Sequence, residues 1–192
     1  MDACPQAVKP CSGKVRPKGR ERGGMAGQPT IYSGQGFSLM RDKKRFVLPN
    51  ALRSSVRESS GDHAVICLSK HPEWKCLTGF GLSRVNEFEA QLDTEEERAD
   101  RAGRAYNRDK RAMQLYSFQQ VPFDGSGRFV MPDALCSLAN IGDELFFQGS
   151  GRFITIWNPE ELYKLEDEGG LEAIIANCRS LADTERAKAK KK

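Results

Sequence analysis

The sequence of 192 residues predicts an α+β protein made of two homologous β-rich halves with helical additions, and three observations carry that prediction. The octapeptide Arg-Phe-Val-Leu-Pro-Asn-Ala-Leu at 45–52 returns as Arg-Phe-Val-Met-Pro-Asp-Ala-Leu at 128–135, an offset of 83 residues with only two conservative changes. Trp74 and Trp157 are separated by the same 83 residues, and a strand-like apolar stretch (Ala64–Leu68, Glu144–Phe147) lies between octapeptide and Trp in each half. The segment between the halves and the segment after the second half are helix-patterned instead. A repeat at one offset marks a tandem duplication, and duplicated halves commonly pack about a pseudo-two-fold axis as a dimer would.

The elements follow in order. Residues 1–30 carry Pro, Gly, Lys and Arg without an apolar core, so they read as a disordered basic leader. An alternative is that Met25 is the true start. Lys9, Lys14, Arg16, Lys18, Arg20 and Arg22 against Asp2 and Glu21 leave this segment a surplus of four positive charges, the whole formal charge of +4. The first half is expected over 31–85 and the second over 118–165. Each copy opens on a polar turn, Met40-Arg-Asp-Lys-Lys-Arg45 or Phe123-Asp-Gly-Ser-Gly-Arg128. The Phe-Val that follows is a short strand of β-formers, and Pro49 or Pro132 ends it where a helix begins. Ala51, Leu52 and Val56, or Ala134, Leu135 and Leu138, supply that helix's apolar stripe. Each half therefore reads strand, turn, strand, helix, hairpin.

Between the halves, 86–117 places Phe88, Leu92, Ala99, Met113 and Leu115 among many Glu and Arg, which suits one or two amphipathic helices. After Asn158-Pro-Glu-Glu, a cap residue, a first-turn Pro and acids against the dipole, a second helical stretch runs to Cys178 and is expected to pack on the second half. The segment 166–192 is assigned to a C-terminal helix and a tail. That tail, with Arg186, Lys188, Lys190, Lys191 and Lys192, is expected to be disordered.

Composition narrows the function. Hydrophobic content of 39% with 29% charged residues is that of a soluble globular protein, and no apolar run nears the ~18 residues that a membrane span needs. Cysteines 4, 11, 67, 76, 136 and 178 lack the dense spacing of a disulfide scaffold, so a reducing cytoplasm fits. Cys67, Cys76, His63 and His71 form no usual zinc spacing, and no metal or other cofactor is expected. With two His, no Gly-rich phosphate loop and no plausible triad, the sequence offers no candidate catalytic group and no small-molecule substrate.

Tyr32-Ser-Gly34, a strand, a charged turn ending in Arg45 and Pro49 four residues later resemble the opening of the MraZ family of transcriptional regulators of the division and cell-wall gene cluster. The second half is similar again: Asp124-Gly-Ser-Gly-Arg128 with Pro132 fits the family's D-x-x-x-R motif, and Phe153-Ile-Thr-Ile-Trp157 its closing strand. Coverage runs from about residue 31 to 165. The resemblance implies AbrB-like swapped-hairpin β-barrel halves forming one DNA-binding unit, a ring-shaped homo-oligomer, nucleoid association, and repression through repeated operator boxes in promoter double-stranded DNA. The first motif departs from the family pattern. Position 41 is Arg rather than an acid, Asp42 is out of register, and Lys44 stands where Gly is expected.

Arginine suits this role because its planar fork donates two hydrogen bonds to guanine O6 and N7 in the major groove. Arg45 and Arg128 are the expected base readers. Asp124, four residues before Arg128, is placed to orient the fork, and Arg41, Lys43 and Lys44 suit phosphates. Without the acid, the first motif is expected to read less sharply. A ring-forming interaction scaffold without specific DNA readout is the competing possibility, and it would need no exposed basic pair.

Overall fold

A computed structural model describes residue 1 and residues 30–191. Residues 2–29 of the expected leader therefore fall outside the described residues. The first half runs β1 (Gln35–Leu39), β2 (Arg45–Val47), α1 (Asn50–Glu58), β3 (Val65–Lys70) and β4 (Leu77–Phe80). Two insert helices follow, α2 (Phe88–Arg101) and α3 (Arg108–Tyr116), then β5 (Gln119–Pro122), β6 (Arg128–Val130), α4 (Asp133–Leu138), β7 (Glu144–Gly149) and β8 (Ile154–Trp157). The chain closes on α5 (Pro159–Tyr163) and α6 (Glu172–Lys190). It is a mixed α+β protein whose strands all pair antiparallel.

Local chemistry accounts for the boundaries. Pro49 and Pro132 occupy the cap positions before α1 and α4, where a fixed φ suits the helix start. Leu52 and Val56 turn into the core from α1, and Leu135 and Ala139 from the end of α4, each pair four apart, whereas the expected Ala51, Ala134 and Leu138 are exposed. The side chains of Asn107 and Asn158 cap α3 and α5 by accepting from Lys110 N (2.8 Å) and Glu160 N (3.1 Å).

The strands form a six-stranded sheet in the order β1-β7-β8-β4-β3-β5 and a separate two-stranded ribbon of β2 and β6. Exchanging each strand for its counterpart reverses the six-strand order without changing it. The first strand of each half pairs with the hairpin of the other, β1 on β7 and β5 on β3. Two pairs sit at the centre of this exchange: Thr78 faces Thr155 where the hairpins meet, and Phe46 faces Phe129 in the ribbon.

The 83-residue offset does not persist along the repeat. Pro122 lies opposite Val65 as Leu39 lies opposite Glu144, which makes Val65 and Glu144 counterparts at an offset of 79. Cys67 faces Phe80 as Phe146 faces Trp157, so the counterpart of Trp157 is Phe80, at an offset of 77. Trp74 lies in the loop between β3 and β4, and its spacing to Trp157 is a coincidence of two shortened connections in the second half. The rings nevertheless touch, with centroids 5.6 Å apart.

Phe80 and Trp157 anchor equivalent helical covers. Phe80 meets Phe88 of α2 and Phe118 edge to face, at 5.7 and 5.6 Å, and Phe88 meets Tyr116 of α3 at 5.3 Å. Trp157 packs with Phe146, Leu162, Ile175 and Cys178 beneath α5 and α6. The final helical stretch is broken at Gly169 and Gly170, both at positive φ, and then runs as one helix to Lys190. This corrects two expectations. The basic segment is helical to Lys190, tied down by Arg186 Nε and Nη2 on Glu144 (2.7 and 2.6 Å). Beyond Trp157 and Phe146, α6 also covers β1 of the first half, because β1 lies beside β7.

Tyr32 joins three elements. Its hydroxyl lies 2.6 Å from Ser59 Oγ at the end of α1 and accepts from Gly81 N at 2.8 Å, while the ring is 2% exposed. Tyr32→Phe leaves that buried N–H without its acceptor and should cost about 1–3 kcal/mol in chemical denaturation with the slope unchanged. The insert helices are clasped by Glu95, whose hydrogen bonds from Arg111 (2.8 and 3.1 Å) pull its carboxyl from the ordinary 4.5 down to about 2. A depressed folded value means that this support is complete above about 4.5 and is lost as pH falls toward 2. Wild-type thermal stability, followed by circular dichroism, should fall more steeply across that interval than that of Glu95→Gln.

Candidate nucleic-acid interface

The β2–β6 ribbon gathers the predicted residues. Arg45 stands opposite Val130 and Val47 opposite Arg128, with Phe46 and Phe129 between them. Side chains alternate faces along a strand, so both arginines share the outer face, on a diagonal, with the two valines. The phenylalanines point inward, 1% and 3% exposed, with ring centroids 6.3 Å apart. Arg45, Arg128, Asp124, Pro122, Phe129 and Val130 line one shallow recess of about 300 Å³.

Each arginine follows a tight turn, and the two turns are built differently. In the second, Asp124 N donates to Arg128 O (2.9 Å), and Gly127 N to Asp124 O (2.8 Å). The Asp124 carboxylate Oδ1 accepts from the backbone N–H of Ser126 (2.8 Å) and Arg128 (2.9 Å). The Arg128 amide, first among these donors, lowers the Asp124 carboxyl below the usual range. The guanidinium lies 3.8 Å from Asp124 Oδ2, with both side chains half exposed, a separation at which a surface ion pair contributes little. Asp124 thus braces the backbone under Arg128 more than it orients the fork.

In the first turn Arg41 occupies the place of Asp124, and its N donates to Arg45 O at 2.8 Å, so the turn closes without a carboxylate. Asp42–Lys44 form a short 3-10 turn in which Lys43 and Lys44 both sit at φ 57°, left-handed backbone that side chains disfavour. The counterpart of Lys44 is Gly127, at φ 80°. What lies above each position explains the difference. A Cβ on Gly127 would come within 2.4 Å of Arg53 Nε, whereas the counterpart of Arg53 in the other half is the small Cys136. Lys44 is also held in place: its ammonium pairs with Asp133 at the start of α4, and this hydrogen bond raises its pKa.

All six predicted residues are therefore surface groups on or beside the ribbon. Among the described residues, Arg41, Lys43 and Arg45 make no ion pair, so their charge faces solvent, while Lys44 is committed to Asp133. Sequence reasoning missed Arg53. Its Nη2 donates to Leu48 O (3.1 Å) and its Nη1 to Gly125 O (3.3 Å), fastening α1 of the first half to the turn of the second. Nothing in the spacing marks that role, because the repeat places Cys136 at the equivalent position. Burial pushes the Cys67 and Cys76 thiols up to about 11 and about 12, so both stay protonated at neutral pH. A second recess of about 320 Å³ lies between the first hairpin and α2–α3, but its Arg84 and Arg111 are already paired with Glu87 and Glu95.

The class these features define is a mixed α+β protein with antiparallel sheets that presents one basic two-stranded ribbon. No family model matches the chain. Among curated proteins it is 30% identical over 123 residues to the transcriptional regulator MraZ of Rhodospirillum rubrum, covering 62% of this chain and 74% of that protein. It is 29% identical over 129 residues to the MraZ of Parvibaculum lavamentivorans (67% and 76% covered). To the MraZ of Gluconobacter oxydans it is 26% identical over 161 residues (82% and 90% covered). The chain belongs to the MraZ family.

The division of labour in the second turn can be measured. Asp124→Ala should mobilise the amides of Ser126, Gly127 and Arg128 in 15N relaxation, whereas Arg128→Ala should leave them as ordered as in the wild type. Equal order in the Asp124 variant would mean that the main-chain bonds suffice alone.

Proposed function

We propose that this protein is a sequence-specific DNA-binding transcriptional regulator, whose Arg45 and Arg128 read guanine from one ribbon face. The observation that carries the proposal is the placement of both arginines on the outer face of a single two-stranded ribbon, over a shared recess. A ribbon of this kind fits the major groove, where each guanidinium can donate to O6 and N7. Arg41 and Lys43 then position the protein on phosphates and make binding salt-dependent. Lys44, already paired with Asp133, contributes less.

The exchanged strand pairing supports an AbrB-like swapped-hairpin scaffold in which residues 31–85 and 118–165 act as one DNA-binding unit, with 86–117 as a helical cover. The names of the relatives support regulation of transcription. Together with the motif resemblance they favour repression of the division and cell-wall gene cluster, by a nucleoid-associated ring of identical subunits on repeated operator boxes. Catalysis has no part in this reading.

Fluorescence anisotropy against duplexes carrying spaced direct repeats tests it. Replacing Arg45 or Arg128 by Ala should weaken specific binding roughly tenfold or more each. Arg41→Ala or Lys43→Ala should weaken all sequences alike and reduce the salt slope by about one. Wild-type affinity in the double arginine variant would overturn the proposal and leave a scaffold.

A further inference from the structure

Val130 is an unusual neighbour for two guanidinium groups. It is 51% exposed, directly opposite Arg45, and it walls the recess together with Pro122. The charged rim of that recess is formed by Arg45, Arg128 and Asp124. A β-branched residue at this place is no surprise for a strand, but an exposed apolar wall beside groups suited to base edges has a definite chemical complement. Thymine is the base that offers the major groove an apolar group, its 5-methyl, and small apolar side chains recognise it there.

The two ends of the ribbon differ in this respect. The counterpart of Val130 is Val47, opposite Arg128, and it is half-buried. The counterpart of Pro122, which is exposed, is Leu39, also half-buried, and Arg41 stands where Asp124 rims the recess. Only one end thus combines an open apolar wall with the arginine pair.

We propose that Val130, with Pro122, is a specificity-determining contact that receives the 5-methyl of a thymine beside the guanine read by Arg45, so that each chain reads one thymine through one end of its ribbon. This rests on the reading of the ribbon as the DNA face. Seating the methyl removes apolar surface of base and valine from water together, which favours thymine over any base lacking that group.

The experiment uses the full-length protein and duplexes that it selects from a library with a randomised core. Selected duplexes are resynthesised with each thymine in turn replaced by deoxyuridine, which deletes the methyl and nothing else. Wild-type protein should lose about fourfold in affinity at one thymine per bound chain, the size expected for one methyl of apolar surface. Val130→Ser, which replaces the apolar wall with a hydroxyl, should bind the thymine and uracil duplexes alike, while Val47→Ala keeps the wild-type preference. Should Val130→Ser melt early, Val130→Asn fills a similar volume with a polar amide, and it should likewise reduce the preference. Equal wild-type binding to every uracil duplex, or an undiminished thymine preference in the Val130 variants, overturns the proposal. The parent reading fails separately: if Arg45→Ala and Arg128→Ala bind as wild type, the ribbon is not the DNA face. If they lose affinity while uracil is silent, only the role of Val130 falls.

Discussion

The pairing of Phe46 with Phe129 is the contact on which the rest depends. A ribbon with three residues per strand cannot hold itself together in water. Here its two central rings, one from each half, sink into the main core, where Phe129 also meets Phe147 edge to face at 6.5 Å. With those rings turned inward, the residues before and after them must face outward, and Arg45 and Arg128 arrive on one surface as a consequence. Leu48 N donates to Gly127 O and Met131 N to Lys44 O (2.7 and 3.1 Å), so the ends of the ribbon join each half to the other's turn. Neither half can present its arginine alone.

The same interdependence runs through the larger sheet. β1 and β5 each leave their own half and complete the hairpin of the other, so the hydrophobic face of one copy is closed by the other. The two copies of the motif nonetheless differ in matched sets. Gly127 lies under Arg53, where no side chain fits, while Lys44 lies at the position that Cys136 leaves open and reaches across to Asp133. The two arginines consequently stand on unlike supports, one braced by a carboxylate and one by main-chain bonds within a basic turn.

Much of this was legible in the sequence, and the failures have physical causes. The octapeptide announced the strand, the proline and the helix in both halves, because β-propensity, fixed φ and an i, i+4 apolar stripe are local properties. The arginine pair followed from the same repeat. The Trp spacing misled because a single offset was carried past two connections of unequal length, and Phe80, the true counterpart of Trp157, is a different aromatic at a different offset. The charged tail looked like disorder by composition, yet α6 continues because Arg186 finds Glu144, a partner 42 residues away. Asp124 was expected to orient the Arg128 fork, but its Oδ1 accepts from amides nearer than the guanidinium.

By itself the sequence determined what is local or periodic: two copies of strand, turn, strand, helix and hairpin, with an arginine closing each turn. Tertiary structure alone decided which strand pairs with which, that β1 and β5 change places, that Arg53 of one half clamps the turn of the other, and that Val130 is left open while Val47 is half covered. The reason is that antiparallel pairing joins residues far apart in the chain, and its register depends on which buried faces meet, a quantity that no short window of sequence contains.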